Sequence, residues 1–275
     1  MKYFFDYAQM LFLSLVTLII FSSCEDVVDV ALDTGQSTIV IDAEILWQRG
    51  TDGSQQTILI SKMTDYYNQQ VPKVTGAEVF VENQYGQRFE FKDIGQGVYQ
   101  CTNFNPELDV EYTLTVAVGD QLYTATEVME PVSEILQVVQ TVEQGFSGED
   151  EIEVQFKFQD PADQSNYYLS DFETNILFYP EYELTDDDLY NGNVLKIGFS
   201  DEDLKIGDTV KITHRGISEQ FYNYMNLILE TTSGNPFATP PGNIRGNILN
   251  ENEPGAYALG YFRLNQSDVA THIIE

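Results

Sequence analysis

Short segments in which apolar and polar residues alternate recur along most of this chain, and they constrain its fold more than any other feature. A period of two is typical of strands that bury one face. The clearest segments are 37–46 (STIVIDAEIL), 77–82 (AEVFVE), 112–118 (YTLTVAV) and 152–158 (IEVQFKF). Tyrosine and phenylalanine, at 17 residues each, also favour strands. The sequence therefore predicts a mostly β protein.

The first group of strands lies within 37–131. Roughly seven of them follow one another at intervals of about 8–12 residues, which predicts a β-sandwich. Gly119-Asp120 suits a two-residue hairpin turn, and Pro131 ends the unit. The pattern VTGAEVFV at 74–81, followed by G-x-Y and Y-x-L-x-V, resembles immunoglobulin-like and transthyretin-like modules of exported proteins.

The second unit, 132–275, is predicted to be β-rich and to carry one amphipathic helix at about 218–232. Ser218 suits the N-cap of that helix, and Glu219 suits the positive end of its dipole. Apolar side chains recur there at helical spacing and form one face: Phe221, Tyr224, Met225, Ile228 and Leu229.

An apolar run ends at Cys24 near the start of the chain (LFLSLVTLIIFSSC). It is shorter than the ~20 residues of a membrane span, and its length fits a signal peptide. The residues before Cys24 resemble the bacterial lipoprotein box. The resemblance implies that 1–23 is a lipoprotein signal peptide, that Cys24 is lipidated, and that 24–36 is an acidic tether. An ordinary secretory signal with a chance cysteine and an uncleaved anchor are the alternatives.

The chain is strongly acidic, with 13 lysines and arginines against 44 aspartates and glutamates and a net charge of −31. Such a field repels phosphate backbones and anionic lipid head groups, so we expect no nucleic-acid partner. We also expect acyl chains, and not a basic patch, to hold the protein at the membrane. Solubility at a cell surface explains the acidity more simply than a specific cation site does.

The sequence offers few groups for catalysis. It contains no G-x-S-x-G nucleophile elbow, no H-E-x-x-H motif and no glycine loop for phosphate. We interpret His214 as a structural residue and Cys101 as a small core or rim residue. Two carboxylates that meet in the fold could serve glycoside hydrolysis, and this alternative stays open.

Two acidic runs offer oxygen ligands suited to calcium. The weak candidates are Asp186 and Asp188 in the first run and Asp201 and Asp203 in the second. Neither run has the spacing of an EF-hand, so solvated acidic loops are the favoured interpretation. We expect no cofactor, with calcium as the one alternative.

Tyrosines in loops are the candidates for contacts with a ligand or a partner. Such side chains supply a large contact area at a small entropic cost. The candidates are Tyr66, Tyr67, Tyr179, Tyr182 and Tyr190. A structural role, in which they cover the β core, is equally consistent with the sequence.

Several motifs occur in order along the chain: CEDVVDVALD after the apolar run, SKMTDY at 61–66, VTGAEV at 74–79 and FSD at 199–201. The helix start SEQFYNY and the end motif PPGNI…ALGYF complete the series. Together they resemble the domain-of-unknown-function 4249 family of Bacteroidota lipoproteins. The resemblance implies a two-part, mostly β lipoprotein of the outer membrane, often encoded beside TonB-dependent receptors. It implies no catalytic residues.

We therefore expect a non-enzymatic accessory lipoprotein, anchored to the outer membrane and facing the exterior. Its expected partner is a TonB-dependent receptor-type barrel in nutrient uptake, and its expected ligand is a peptide or a glycan. Glu25 and Asp26 after the cysteine resemble the surface-export signal of Bacteroidota lipoproteins. A cell-surface hydrolase that uses dispersed carboxylates, and a structural envelope or adhesion protein, are the alternatives.

Overall fold

Strands make up most of the fold, and the prediction of a mostly β protein is confirmed; the described residues contain one helix, as predicted for the second unit. The structure, a computed structural model, describes residues 38–64, 70–144, 150–162, 164–232 and 244–275. Cys24, Tyr66 and Tyr67 lie outside these ranges. The strands are β1 Ile39–Gln48, β2 Gln56–Lys62, β3 Glu78–Asn83, β4 Arg88–Asp93, β5 Val98–Cys101, β6 Glu111–Val118, β7 Gln121–Glu130, β8 Ile135–Gln144, β9 Asp150–Gln159, β10 Tyr167–Thr174, β11 Glu181–Asp186, β12 Val194–Ser200, β13 Thr209–Ile217, β14 Leu249–Asn250 and β15 Leu259–Ile273, and the helix is α1 Glu219–Thr232.

Eight of the strands form a closed barrel in the order β15-β1-β2-β5-β4-β3-β6-β7. The barrel closes because β15 pairs in parallel with β1, from Val40–Leu259 to Gln48–Ser267, and also with β7 at Met129–Leu264. Alternate residues of each strand point inward, as the sequence pattern predicts, and fill the interior with apolar side chains.

The barrel differs from the β-sandwich predicted for 37–131. In a sandwich, β1 and β7 would be edge strands. Here β15, from the end of the chain, lies between them and pairs with both. Because β15 closes the barrel, the core of the first unit also contains residues from the end of the chain: Ala258, Phe262 and Leu264. The chain leaves the barrel after β7, next to the predicted boundary at 131, and returns to it near residue 248. Residues 37–275 form one compact unit.

The second half of β15 leaves the barrel and pairs with β13, from Arg215–Ser267 to Thr209–Ile273. Strands β10 and β11 follow beyond β13. A separate sheet, in the order β12-β9-β8, faces them. One apolar core joins the two sheets, with Phe156 and Phe158 from β9 and Phe172 from β10 at its centre. This part of the chain is therefore a sandwich.

The helix begins one residue later than predicted and ends at the predicted position. The backbone N–H of Phe221 donates to the Ser218 hydroxyl over 3.2 Å, which is the expected N-cap bond. Phe221, Tyr224 and Met225 pack against Tyr261 of β15 and other residues of the sheet. In the described part of the chain, no helix combines the length and the apolar character needed to cross a membrane.

We predict that Gly260→Ala destabilises the protein far more than Gly255→Ala. The two glycines have nearly the same backbone angle, φ 91° and 90°, so alanine is strained equally at both. A Cβ atom on Gly260 would lie 2.1 Å from the Ile41 carbonyl oxygen, while one on Gly255 meets nothing within 4 Å. We expect Gly260→Ala to lower the free energy of unfolding by about 1–3 kcal/mol more than Gly255→Ala, as measured by urea denaturation. Equal losses would contradict the close β1–β15 contact.

Candidate functional site

A cleft of about 290 Å³ lies where the helix and the barrel meet the β13-β10-β11 part of the larger sheet. We call it the aromatic cleft. Four rings line it: Tyr182, Phe221, Tyr224 and Tyr261. Four charged side chains lie beside them: Asp42, Glu44, Arg215 and Arg263. With Leu169 also in the lining, its walls come from β1, β10, β11, β13, β15 and α1.

Three of the four rings of the cleft contact one another. The centroids of Tyr224 and Tyr261 are 4.8 Å apart, and those of Phe221 and Tyr261 are 5.0 Å apart. The guanidinium of Arg263 lies 5.1 Å from the centroid of Phe221, within cation–π range. This wall is therefore preorganised, with little ordering left for a ligand to induce.

Glu44 joins the two arginines at the base of the cleft. One of its carboxylate oxygens lies 3.3 Å from Nε of Arg215, and the other lies 3.2 Å from Nη2 of Arg263. Arg215 also pairs with Asp171, whose side chain is only 3% exposed. Arg263 also pairs with Asp42 at 2.8 Å. Two cations thus meet three anions, and the network carries one surplus negative charge.

Electrostatics keep Glu44 and Arg263 ionised at neutral pH. Burial alone would raise the pKa of Glu44, but the attraction of Arg263 and Arg215 outweighs it and leaves that pKa below its usual value. Burial likewise opposes the charge on Arg263, and Glu44 and Asp42 overcome it, so the pKa of Arg263 is raised. Glu44 therefore acts as a fixed counter-ion and is poorly suited to accept or donate a proton.

Strand alternation explains how the charges reach the cleft. On β1, Ile41, Ala43 and Ile45 point into the barrel, so Asp42 and Glu44 point out of it. Glu44 lies directly opposite Arg263 in the β1–β15 ladder. Residues opposite one another in a ladder share a face, so the pair forms without any distortion of the strands.

We predict that Arg215→Met lowers stability much more than Lys211→Met. Both cations lie on β13 and pair with acids of β10, but Asp171 is buried whereas Glu173 is 45% exposed. Loss of Arg215 leaves a buried, unpaired carboxylate, which costs about 3–5 kcal/mol. Loss of the exposed Lys211 pair costs about 0–1 kcal/mol. Urea denaturation measures both, and the double variant Asp171→Asn/Arg215→Met should recover part of the loss.

The tyrosines predicted as contact residues lie at different places. Tyr182 lines the aromatic cleft. Tyr190 lines a separate groove between β11 and β12. Tyr179 is 74% exposed and stacks edge-on against Phe178 at 4.8 Å. The structure therefore does not gather the three into one site.

The acidic runs do not form a metal site within the described ranges, where no three Asp, Glu, His or Cys side chains are grouped to hold an ion. The Asp186 carboxylate accepts hydrogen bonds from the Asp188 N–H and the Tyr222 hydroxyl. The Asp201 carboxylate accepts the Asp203 N–H at 2.8 Å. In both runs an aspartate therefore closes a local turn.

His214 is fully buried in the apolar core between the two sheets. Its ring packs against Phe156, Phe158 and Tyr168, and its Nδ1 lies 3.0 Å from the Ser170 hydroxyl. Burial lowers its pKa to about 3, so it stays neutral. Cys101 is also buried, which raises the pKa of its thiol. Neither side chain is placed to react with a substrate.

A second cleft, of about 330 Å³, contains two glutamates near the end of β7. We call it the carboxylate cleft. Glu127 accepts a hydrogen bond from Ser218 at 3.1 Å, and burial raises its pKa. Burial first, and then the charges of Glu127 and Asp109, raise the pKa of Glu130 to about 7. Glu130 can therefore hold a proton near neutral pH.

We predict that Glu130→Gln stabilises the protein at pH 8 and has little effect at pH 5. The folded state keeps the Glu130 proton up to about pH 7, whereas the ordinary value is 4.5. The stability that this proton contributes is therefore fully present below about pH 4.5, has declined little at pH 5, and is lost by the time the pH has risen through 7. We expect a gain of about 1 kcal/mol at pH 8, or about 2–4 °C in Tm. The exposed control Glu82→Gln should show no such difference between the two pH values.

Sequence reasoning missed most of the aromatic cleft. It identified Tyr182 and the apolar helix face, but not the charged residues Glu44, Arg215 and Arg263. One signal was available: with only 13 lysines and arginines in the chain, an arginine inside an apolar strand such as ALGYFRL is unusual. Such an arginine indicates a buried partner.

Comparisons with known proteins bear on the fold and on the family. Among solved structures, a segment of two fibronectin type III domains from chicken tenascin matches with 11% identity over 59% of this chain and 85% of that one, at a TM-score of 0.22. The chicken interferon gamma receptor alpha chain matches with 9% identity over 66% of this chain and 87% of that one, at a TM-score of 0.19. Both scores are too low to carry an argument.

A comparison with curated proteins gave no match. Residues 25–269 match the family described as Domain of unknown function (DUF4249), and the chain belongs to that family.

Proposed function

We propose that this protein is a non-enzymatic accessory lipoprotein of the bacterial outer membrane that binds a saccharide in the aromatic cleft. In this proposal it faces the exterior, is anchored through Cys24 and serves a TonB-dependent receptor-type barrel in nutrient uptake. The observation that carries the proposal is the cleft itself, in which aromatic rings and charged side chains converge on one concave surface.

The chemistry of the cleft favours an uncharged ligand. Glu44, Asp42 and Asp171 already neutralise Arg215 and Arg263, so the cleft offers no free cation to a phosphate or a carboxylate. Its rings suit a ligand with apolar faces, and its fixed charges suit hydroxyl groups at the edges of that ligand. A sugar ring has both properties. The volume is at the lower end of ligand-binding cavities, which suits a unit the size of a monosaccharide.

A binding role is also supported by the state of the titratable groups in the cleft. Glu44 is held as a carboxylate by two arginines, so it is neither a good general acid nor a good general base. His214 lies in a different core, away from the lining of the cleft. The ion pairs of Glu44 with Arg215 and Arg263 therefore have a positioning role and hold the strands and rings of the cleft in place.

The anchor and the partner are supported by the sequence. The residues before Cys24 resemble a lipoprotein box, and Glu25 and Asp26 follow it. Lipid anchoring would place the cleft beside other outer-membrane proteins. The link to a TonB-dependent receptor comes from the family resemblance and is associational. We also propose that the barrel is related to the immunoglobulin-like and transthyretin-like modules, on the basis of the motifs within 74–118.

A hydrolase is the second candidate, and the carboxylate cleft favours it. Glu127 and Glu130 line the same cavity, and Glu130 holds a proton near neutral pH. A protonated and an ionised carboxylate in one cleft are the groups that glycoside hydrolysis requires. Variants of these two residues therefore separate the two candidates.

We predict that Tyr182→Ala weakens saccharide binding about tenfold, whereas Tyr179→Ala leaves it unchanged. Tyr182 lines the cleft, and Tyr179 is a more exposed tyrosine of the same segment outside it. The loss of one ring contact, about 1.4 kcal/mol, corresponds to that factor of ten. A glycan array identifies the ligand, and calorimetry with the full chain in detergent measures the dissociation constants. Binding that is equal in the two variants, or binding of short peptides and no saccharide, would contradict the proposal.

The cellular part of the proposal is tested by affinity purification of the native lipoprotein from solubilised membranes. We expect a TonB-dependent barrel to be recovered with it, and protease treatment of intact cells to cleave it. Recovery without such a barrel, together with turnover of a polysaccharide that Glu127→Gln or Glu130→Gln abolishes, would establish the hydrolase instead. A protein that survives the protease while known surface proteins are cut would contradict its outward orientation.

A further inference from the structure

A groove of about 600 Å³ runs between β11 and β12, apart from the aromatic cleft. Four consecutive residues of β11, 183–186, line one side, and five consecutive residues of β12, 194–198, line the other. Successive side chains of a strand point to opposite faces. A lining of consecutive residues therefore means that the groove is bounded by the backbone edges of both strands. We call it the strand-edge groove.

Both strands end their sheets within the described ranges. Strand β11 pairs with β10 and is last in the larger sheet, and β12 pairs with β9 and is last in the smaller one. An outer strand presents a row of N–H and C=O groups that only another extended polypeptide can satisfy in register. Strand β12 is the better template, because its seven residues alternate regularly between exposed and buried.

Glu183 on the opposite wall, and Glu181 just beyond the lining of the groove on the same strand, point toward the gap between the sheets. Glu183 lies opposite Ser170, and Glu181 lies opposite Phe172, in the β10–β11 ladder. Opposite residues share a face, and Phe172 belongs to the core between the sheets. Both glutamates therefore face β12 at positions where a sandwich normally places apolar residues. Burial raises the pKa of each of them.

Among the described residues that line the groove, no cation pairs with Glu181 or Glu183. Lys196 is the basic residue in this lining. Its neighbours Leu195 and Ile197 are buried, so Lys196 lies on the outer face of β12 and points away from the two glutamates. The charges that act on Glu181 are those of two other acids, Asp201 and Glu183. A ligand that pairs with Glu181 and Glu183 must therefore itself contain lysine or arginine.

We propose that the strand-edge groove binds an extended, basic polypeptide segment, which adds as a fourth strand beside β12 and places lysine or arginine side chains on Glu181 and Glu183. Five residues pair with 194–198 over about 17 Å. Its backbone satisfies the free edge of β12, and its cations satisfy the acids of β11. A second copy of this chain is disfavoured as the guest because its net charge of −31 opposes self-association.

The test uses the full chain in detergent and a seven-residue peptide in which lysine and valine alternate. Fluorescence anisotropy at roughly physiological ionic strength measures its dissociation constant. One control peptide carries glutamate in place of lysine. Another carries N-methyl groups on alternate backbone amides, which removes the hydrogen-bond donors from one edge. We expect both controls to bind about tenfold more weakly or worse.

The first protein variant is Glu181→Gln/Glu183→Gln. The control is Glu82→Gln/Glu107→Gln, which removes the same number of negative charges from the barrel. We expect the first to weaken binding of the lysine peptide about tenfold and the second to leave it nearly unchanged. Hydrogen exchange locates the site: amides of 194–198 should gain protection, and amides of β8, at the other edge of the same sheet, should not.

Three results would overturn the proposal. Equal binding of the N-methylated peptide would mean that attraction is electrostatic and no strand is added. Equal effects of the two double variants would place the peptide elsewhere. Absence of binding at millimolar peptide would mean that Glu181 and Glu183 only protect the edge against pairing, which is a known use of inward-pointing charge on edge strands.

Discussion

The structure depends on one strand that belongs to two parts of the fold. The first half of β15 pairs with β1 and closes the barrel, and its second half pairs with β13 and continues into the sandwich. Without β15 the barrel would have two open edges at β1 and β7, and the larger sheet would lose its connection to the barrel. A single strand shared in this way also fixes the orientation of one part against the other, because its backbone is hydrogen-bonded on both sides.

The charge network follows from this arrangement. Where β15 passes from one partner to the other, β1 and β13 end close to each other, and their outward-facing polar residues meet beside α1. Glu44 and Arg263 are opposite each other by register, and Arg215 of β13 reaches both Glu44 and Asp171. Buried ion pairs stabilise a protein weakly, since desolvation offsets most of their attraction, but a broken pair is costly. The network therefore specifies how the strands are aligned at this junction more than it adds to stability.

Sequence reasoning predicted the elements well and their assembly poorly. Alternation located β1, β3, β6 and β9, and helical spacing located α1, because both patterns depend on neighbours in the chain. The closure of the barrel could not be predicted in that way. It pairs residues 40–48 with 259–267, and the alternation of a strand shows which face is buried but not which strand lies beside it. The aromatic cleft was missed for the same reason, since Glu44, Arg215 and Tyr261 meet only after that pairing.

Strand β11 shows how one short element can serve two surfaces. Tyr182 shares a face with Asp171 and lines the aromatic cleft, whereas Glu183 shares a face with Ser170 and lines the strand-edge groove. The alternation that elsewhere separates core from solvent here separates two concave sites. Neither Tyr182 nor Glu183 is needed for a hydrophobic core, and both are exposed. Within the described residues the strand is paired on one side only. Its sequence is therefore free of the apolar alternation that the central strands must keep, and one face can carry an aromatic side chain while the other carries acids.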